Sequence, residues 1–338
     1  MVRVLVRRLG SALLVLLGAS VITFILARVV PSDPSLAYMG PKATASDALK
    51  LRASLGLDQP LPIQYFKYLR DMSRGNWGYS LSTKQPVLQE ILSRLPSTLE
   101  LIVAAIGFAS IVGILLGVVA ARHRGSVRDA IIRFASIAGV SMPAFWLGLL
   151  LQLLFVGRLH WLPATGEFDP DIKFLHPISK VTGFPIFDSL ITGNMAAFSN
   201  GLVHLILPAL TLSAYSLGLV SRMARANLLE VLSQDYIKVA RAYGLPERVI
   251  LFKLALRNAL PPIVTVIGLS TAYLLTGTFF VEQVYNWPGI GSFAANSLLS
   301  VDYPAIMGIT LLGATGYLTI NLIVDLIQTK LDPRVSIS

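Results

Sequence analysis

The stretch LIVAAIGFASIVGILLGVVAA, from Leu101 to Ala121, contains no charged side chain. An α-helix needs about 20 apolar residues to cross the hydrocarbon core of a bilayer, so this stretch is long enough to span a membrane. The chain has five further uncharged runs of comparable length, which are Leu9–Ala27, Phe134–Gly157, Gly201–Ser221, Asn258–Val281 and Tyr303–Val324. The sequence therefore predicts an all-α polytopic membrane protein with six transmembrane helices.

The composition also indicates a membrane protein. Of the 338 residues, 54% are hydrophobic and 14% are charged, and the mean hydropathy is +0.68. A large soluble α-helical protein also contains apolar helices, but this chain has too few polar residues to cover a water-exposed surface. The first run follows Arg3, Arg7 and Arg8 as in a signal peptide. Because that run is longer than a usual signal-peptide core and lacks a small-x-small cleavage site, we expect a retained span.

The positive charges predict the orientation of the spans. The net charge is +10, and short loops rich in Lys and Arg remain in the cytoplasm. The basic positions of the N-terminus, of two connections and of the tail are Arg3, Arg7, Arg8, Arg122, Arg124, Arg128, Arg222, Arg225, Lys238, Arg241, Arg248, Lys253, Arg257, Lys330 and Arg334. The connection from Glu282 to Asp302 has two acids and no base. We therefore expect both termini and both basic connections in the cytoplasm, and we interpret the charge as a topology signal rather than a nucleic-acid surface.

Two segments on the predicted outer side are long enough to fold. Pro31–Pro96 has helical patterns at Ala45–Leu55 and Ile63–Met72, separated by turn-forming residues. Arg158–Asn200 is rich in Pro, Gly and Asp. Neither segment has the low complexity of a linker, so we expect structured segments that cover the helices or contact a soluble partner.

The basic connection between the fourth and fifth runs contains a short amphipathic helix pattern. Residues Gln234–Pro262 read QDYIKVARAYGLPERVILFKLALRNALPP. Asp235 is a suitable N-cap, and Gly244 is suited to the left-handed conformation that ends many helices. The residues predicted to share one face are Tyr236, Val239, Ala240 and Tyr243, with Lys238 and Arg241 away from it. So short a helix is marginal by itself in water, and we expect another surface to hold it, with Ala240 permitting close approach.

This connection resembles the signature loop of permease subunits of bacterial ABC importers, and most of all the peptide/nickel group. The loop pattern is Ala240-x3-Gly244, followed by Leu254-x-Leu256. The other motifs similar to that group are Pro31-Ser32-Asp33-Pro34, Leu55-Gly56-Leu57-Asp58-Gln59-Pro60-Leu61, Leu95-Pro96-Ser97-Thr98-Leu99-Glu100, Ser141-Met142-Pro143-Ala144-Phe145-Trp146-Leu147-Gly148, Leu207-Pro208-Ala209-Leu210-Thr211, Glu282 with Trp287-Pro288-Gly289-Ile290-Gly291, Asp302-Tyr303-Pro304 and Asp332-Pro333-Arg334. The resemblance covers nearly the whole chain.

The resemblance implies a type I ABC importer permease fold in the bacterial inner membrane. It implies a second homologous permease subunit, two cytoplasmic ATP-binding subunits and a substrate-binding protein as partners. The residues that it assigns to coupling with the ATPase are Asp235, Tyr236, Lys238, Ala240, Arg241, Tyr243, Gly244 and Leu245. The chain contains no Gly-Lys dipeptide and thus no phosphate-binding G-x4-G-K-[ST] motif, so we expect a partner to hydrolyse ATP.

The predicted organisation follows the membrane. Residues 1–30 form the cytoplasmic N-terminus and first span, and residues 31–96 form a periplasmic segment. Residues 97–328 form the transmembrane domain with the cytoplasmic coupling loop 222–257, and residues 329–338 form a cytoplasmic tail.

The resemblance implies import of di- or oligopeptides delivered by a periplasmic binding protein. The stretch Pro170–Phe198 most resembles members assigned to D-Ala-D-Ala dipeptides. The alternatives are the same machinery carrying nickel-chelate or glutathione-like solutes, an ion-coupled transporter, or a membrane enzyme. An ion-coupled transporter needs charged residues within its spans and an inverted repeat, and neither is evident.

Polar residues within the runs are candidates for a substrate path. These candidates are Ser141, Gln152, Tyr215, Thr271 and Thr276, and most such residues bridge neighbouring helices. At the predicted outer end of the fifth span, we expect Glu282 to hold a turn formed by Trp287, Pro288 and Gly289. The chain has no cysteine and four dispersed histidines, so the sequence predicts no metal, no cofactor and no catalytic residue.

Overall fold

The computed structural model describes residues 2–29 and 58–331, and helices dominate both ranges. The helices are α1 (Val2–Val29), α2 (Leu61–Ser73), α3 (Val87–Arg122), α4 (Val127–Ser141), α5 (Ala144–Leu151), α6 (Pro170–Leu175), α7 (Pro185–Ile191), α8 (Met195–Leu232), α9 (Asp235–Ala242), α10 (Glu247–Val249), α11 (Leu256–Val284), α12 (Ile290–Leu299) and α13 (Tyr303–Leu331). Two π-helical segments, Gln152–Arg158 and Ile250–Ala255, follow α5 and α10.

Five helical segments of the described residues are long and apolar enough to cross a membrane. They are Gly10–Ala27, Val87–Arg122, Met195–Leu232, Glu247–Leu275 and Tyr303–Ile327. A bent pair, Val127–Ser141 with Ala144–Arg158, gives the sixth crossing if it is counted as one span. The all-α polytopic class that the sequence predicts is therefore confirmed.

The third predicted span is divided into two helices at Pro143, a position where a helix kink is expected. The helix axis turns by 111° between α4 and α5. Met142, which precedes Pro143, has an extended backbone with φ −77° and ψ 130°. Proline lacks an N–H and disfavours the helical conformation in the residue before it, so α4 ends there. Both halves are apolar, which is why hydropathy alone shows one run. By contrast, Pro261 and Pro262 lie inside α11.

The first of two compact units contains Met1–Leu95 and Ser292–Gly316. In this unit, the ring of Phe24 on α1 lies 5.3 Å from that of Tyr65 on α2, centroid to centroid. Buried Asp302 accepts hydrogen bonds from the Ser80 hydroxyl at 2.5 Å and from the Ser82 amide at 3.0 Å. An aromatic cluster and a buried carboxylate thus stabilise the unit.

The second compact unit contains Pro96–Gly291 and Tyr317–Ser338, and α8 lies at its centre. Small residues let α8 approach its neighbours closely, as is typical of helices packed within membranes. A Cβ added at Gly117 of α3 would lie 2.4 Å from the Cβ of Ala224, and one at Gly218 would lie 2.4 Å from the Ser136 carbonyl oxygen of α4. These contacts fix α3 and α4 against α8.

The segments predicted to fold between spans are ordered where the structure describes them. The pattern Ile63–Met72 is confirmed as helix α2, while Ala45–Leu55 lies outside the described residues. In the segment from Arg158 to Asn200, the carboxylate of Asp188 accepts the amides of Val181, Thr182 and Gly183 at 2.8–3.0 Å. Burial alone raises the pKa of Asp188, but these bonds outweigh it and hold the pKa below its ordinary value.

Candidate coupling site

The loop helix, α9, begins one residue earlier than the sequence predicts. Gln234 is the residue that precedes the helix, and its side chain makes no capping hydrogen bond. The prediction of Asp235 as N-cap is therefore wrong, because Asp235 is the first helical residue. Its carboxylate accepts a hydrogen bond from the Lys238 amine at 2.8 Å. An acidic group in the first turn still interacts favourably with the helix dipole.

The helix ends as predicted at Gly244, whose φ is 76°. The Gly244 amide donates to the Arg241 carbonyl at 2.9 Å, and the Leu245 amide donates to the Ala240 carbonyl at 3.2 Å. This pair of bonds is the Schellman arrangement, in which a left-handed residue reverses the chain and satisfies the last carbonyls. Glycine adopts that conformation without the steric cost of a Cβ atom.

One face of the loop helix is buried within this chain. Ile237 and Ala240 are buried and belong to one apolar cluster. The other buried members of that cluster are Val118, Ala121, Val220, Ala224, Leu228, Ile250, Ala255, Ala259 and Ile263. They come from α3, α8, the π-helical segment before α11, and α11 itself, so the loop helix shares one apolar cluster with the ends of three spans.

The position of Ala240 corrects the predicted face. The helical periodicity groups Ala240 with Tyr236, Val239 and Tyr243, where it is expected to permit close approach of another surface. In the structure Ala240 faces its own chain, and Ile237 accompanies it. Residues three or four positions apart share a helix face. Ala240 follows Tyr236 by four positions and Ile237 by three, so spacing alone does not decide which of them is buried beside it. The buried side differs because Ile237 is more apolar than the tyrosines.

The other side of the loop helix exposes three large side chains with apolar bodies. Tyr236, Val239 and Tyr243 are exposed by 44%, 52% and 83%. They lie three and four residues apart and form a continuous strip, which we call the exposed apolar face. Single exposed apolar residues are ordinary, but a contiguous set on one helix is typical of an interaction surface.

Charged pairs border this face. Arg241 donates to both carboxylate oxygens of Glu247, at 2.8 Å and 3.4 Å, across the turn that contains Gly244. The hydrogen bond to Glu247 raises the pKa of Arg241 above its ordinary value, so this side chain stays cationic. Leu245 is partly exposed beside the turn. The face thus has an apolar centre and a charged border, as protein interfaces do.

A buried ion pair that the sequence did not predict joins α4 and α8. Asp129 of α4 is buried, and Arg225 of α8 donates to its two carboxylate oxygens at 2.7 Å and 2.9 Å. The Gly125 amide donates to the same carboxylate at 3.0 Å. In the sequence, Arg225 stands out only as one of the topology charges. The Ser126 side chain accepts the Asp129 amide and starts α4, but this local pattern does not point to Arg225.

The candidate path residues differ in their contacts. Gln152 is held in place, because its amide nitrogen donates to the Ala164 and Val284 carbonyls at 2.8 Å and 3.1 Å. Ser141 is exposed at the end of α4. Thr271 donates to the Ile267 carbonyl of its own helix at 2.8 Å. Thr276 lies in α11, but its side chain is outside the described part of the chain. The ring of Tyr215 contacts that of Tyr273 in a tilted arrangement, with centroids 4.9 Å apart.

The turn after α11 is tightly tied to α3. The Thr98 hydroxyl donates to Glu282 at 2.8 Å and accepts the Ile290 amide at 2.8 Å, while the indole of Trp287 donates to the Ser97 carbonyl at 2.9 Å. Glu282 and Trp287 are completely buried. A Cβ at Gly289, after Pro288, would lie 2.4 Å from the Thr98 hydroxyl oxygen. These residues bond one another and lie away from solvent.

Comparisons with known proteins agree with this architecture. The family described as "Binding-protein-dependent transport system inner membrane component" matches residues 113–337, and its N-terminal companion matches residues 1–102. A probable D,D-dipeptide transport system permease protein of Escherichia coli K12 is 43% identical, over 98% of this chain and 97% of that protein. A di/tripeptide transport system permease protein of Pseudomonas aeruginosa is 40% identical over 99% of both chains. An oligopeptide transport system permease protein of Bacillus subtilis is 36% identical over 98% of both.

Several helices long and apolar enough to cross a membrane define a multi-pass membrane protein. The chain belongs to the family of inner membrane components of binding-protein-dependent transport systems, which are the permease subunits of ABC importers. The resemblance of the sequence motifs to this family is thereby confirmed.

Proposed function

We propose that this chain is a permease subunit that carries di- or oligopeptides across the bacterial inner membrane, driven by ATP hydrolysis in partner subunits. The solute assignment rests on relatives named for dipeptides, di/tripeptides and oligopeptides, which align with this chain over nearly its whole length. D-Ala-D-Ala-like dipeptides are the solutes to test first, because a relative with 43% identity is named for D,D-dipeptides.

The exposed apolar face of the loop helix carries the coupling proposal. Tyr236, Val239 and Tyr243 are exposed, and an exposed apolar strip is unfavourable in water. An ATP-binding subunit that covers the strip would bury its apolar area. Ile237 and Ala240 hold the helix on the ends of α3, α8 and α11, so a displacement of the loop helix moves these spans. Each of two homologous permeases binds one ATP-binding subunit in this arrangement.

The orientation belongs to the same proposal. Both termini and the loop helix lie in the cytoplasm, and the segment from Arg158 to Asn200 lies outside, where a substrate-binding protein delivers the solute. The distribution of Lys and Arg supports this orientation. The turn of Glu282, Trp287, Pro288 and Gly289 then lies at the outer end of α11 and stabilises it.

The experiment is uptake by proteoliposomes that contain both permeases, the ATP-binding subunits and the binding protein. A panel should contain D-Ala-D-Ala, L-dipeptides, longer peptides, glutathione and a nickel chelate. We expect ATP-dependent uptake of a dipeptide, with no uptake when ATP is replaced by a non-hydrolysable analogue. Uptake of glutathione or of the nickel chelate alone would contradict the peptide assignment, and uptake that follows an ion gradient without ATP would contradict the class.

A labelling experiment tests the orientation in the same complex. Because the chain has no cysteine, Phe174→Cys and Tyr243→Cys each introduce a single thiol at an exposed position. An impermeant thiol reagent added to intact spheroplasts should modify the cysteine at position 174 and leave that at position 243 unmodified. The reverse pattern would overturn the orientation.

A further inference from the structure

A cavity opens between α3, α8 and the segment that contains α7. Its volume is about 510 Å³, and its lining includes Leu99 and Val103 of α3, Phe187 and Leu190 of α7, and Leu205 of α8. All of these residues belong to the second compact unit. The loop helix contributes no residue to the lining, so this cavity is separate from the coupling site.

Two helices place this cavity at the same edge of the predicted membrane. On α3 the lining residues lie between Leu99 and Ala104, and the uncharged run of that helix begins at position 101. On α8 they are Phe198 and Leu205, on either side of position 201, where the next uncharged run begins. Because a helix rises about 1.5 Å per residue, the lining reaches roughly 5 Å into each run. The cavity therefore crosses the boundary between the headgroup region and the hydrocarbon core.

Helix α7 is fixed at this boundary. The Phe187 amide donates to one carboxylate oxygen of Glu100 at 3.0 Å, and the Ile186 amide donates to the other at 3.4 Å. Ile186 is buried, and a Cβ added at Gly201 would lie 3.0 Å from its Cγ1 atom. Helix α7 is thus joined to α3 and α8 next to the residues where their uncharged runs begin.

The wall of the cavity suits a hydrocarbon chain rather than a peptide. Its polar side chains are engaged, since Glu100 accepts the two α7 amides and the Thr182 hydroxyl donates to Asp188 at 2.6 Å. The other lining side chains are aliphatic or aromatic. A peptide would leave its amide N–H and carbonyl groups without partners here, which is unfavourable away from water. A hydrocarbon chain has no polar group to satisfy.

The mouth of the cavity continues into the exposed apolar surface of α3. Val103, Phe187 and Leu190 are the exposed apolar residues of the lining. Ile111 and Leu115 follow Val103 at multiples of four residues and are also exposed. Residues at this spacing form one ridge along a helix. The ridge extends from the cavity toward the middle of the predicted membrane, where lipid tails surround it.

We propose that this cavity binds one acyl chain of a membrane phospholipid, with the headgroup at the boundary beside α7. The chain contacts α3, α7 and α8 together and covers the apolar sides of Phe187 and Leu190, which are unfavourable in water. In the proposed orientation this lipid belongs to the outer leaflet. The inference does not depend on which solute is transported.

Photolabelling of the assembled complex in phosphatidylethanolamine–phosphatidylglycerol nanodiscs tests the site. The reagent is a phosphatidylethanolamine with a diazirine in the first third of one acyl chain, and peptide mass spectrometry locates its adducts. Leu202 of α8 is the reference, because it is exposed at the same depth and does not line the cavity. Adducts on Val103 and Leu190 should exceed those on Leu202 about fivefold, which corresponds to roughly 1 kcal/mol of preferential binding.

Two results would overturn the proposal. Equal yields at the three positions would show ordinary contact with surrounding lipid. Adducts on Val103 and Leu190 in the isolated subunit, but none in the complex, would show that a protein partner covers the cavity.

A pair of variants tests whether the cavity itself holds the chain. Leu190→Asp places a carboxylate at the mouth, and Ile191→Asp is the matched control, because Ile191 is 46% exposed against 39% for Leu190 and does not line the cavity. A charge that must lose water beside hydrocarbon is unfavourable, so Leu190→Asp should lower the adducts on Val103 about threefold. Ile191→Asp should leave them unchanged. Equal yields in the two variants would contradict the proposal, and if Leu190→Asp failed to assemble, the comparison within the unaltered complex would decide.

Discussion

The loop helix and the middle of α3 both expose apolar side chains, but the solvent predicted around them differs. The loop helix lies in a basic connection, where water is expected, yet it exposes Tyr236, Val239 and Tyr243. Helix α3 crosses the predicted membrane, where lipid tails suit exposed side chains such as Ile111 and Leu115. An apolar surface that faces water indicates an interaction partner, and the loop helix has such a surface.

The largest expected effect concerns stability and lies outside both surfaces. Asp129→Ala leaves Arg225 without its buried partner, so we expect a loss of about 3 kcal/mol or more. Arg133→Ala is the control, because Arg133 is half exposed and its distance to Asp129 is 3.5 Å; an exposed pair contributes at most about 1 kcal/mol. Unfolding of the purified complex measures both. Equal effects of the two variants would show that burial does not decide the strength of this pair.

The next effect concerns the exposed apolar face. Val239→Asp places a charge in the surface proposed to contact an ATP-binding subunit, so we expect a loss of about 2–3 kcal/mol in docking, or roughly 30-fold to 150-fold. Val127→Asp is the matched control, since Val127 is an exposed valine at the start of α4, 75% exposed against 52% for Val239. Retention of the ATP-binding subunit during purification measures docking. Equal retention in both variants would contradict the proposal that the exposed apolar face binds an ATP-binding subunit.

Ala240→Trp distinguishes the two sides of the same helix. Because Ala240 packs in the apolar cluster of its own chain, the larger side chain should destabilise the loop by about 1–3 kcal/mol through overpacking. Val239→Trp enlarges an exposed side chain and should leave the unfolding temperature unchanged. If Ala240→Trp were as stable as the unaltered chain, the packing described for the loop helix would be wrong.

Gly244→Val should have a smaller effect, which is measured as coupled uptake. A β-branched residue at φ 76° costs about 1–2 kcal/mol, which corresponds to roughly a fivefold to 30-fold reduction in coupled uptake. Gly244→Asn is the conservative variant, because asparagine tolerates the left-handed region better than other residues. Uptake should therefore recover in Gly244→Asn. Normal uptake in Gly244→Val would contradict the requirement for positive φ at this turn.

The sequence predicts the class and most helices, because both depend on residue patterns along the chain. The uncharged runs correspond to helices that are long enough to span a membrane, and Gly244 ends the loop helix in the predicted conformation. The bend at Pro143 was not predicted as a break. Proline excludes the regular helix locally, but whether a helix merely kinks or ends depends on what the two apolar halves pack against.

The buried side of the loop helix could not be predicted for a similar reason. Periodicity shows which residues share a face, and it does not show which face meets the rest of the chain. Ala240 and Ile237 are buried because α3, α8 and α11 converge at that place. The pair Asp129–Arg225 joins residues 96 positions apart, and no local pattern connects them.

The most direct test of the account is a crosslink from Val239→Cys in the assembled complex. A short thiol-to-amine reagent should join this cysteine to an ATP-binding subunit, because Val239 lies at the centre of the exposed apolar face. Phe174→Cys, 86% exposed on the segment proposed to lie outside, should give no such product. A crosslink from position 174 to an ATP-binding subunit, or none from position 239, would contradict the account.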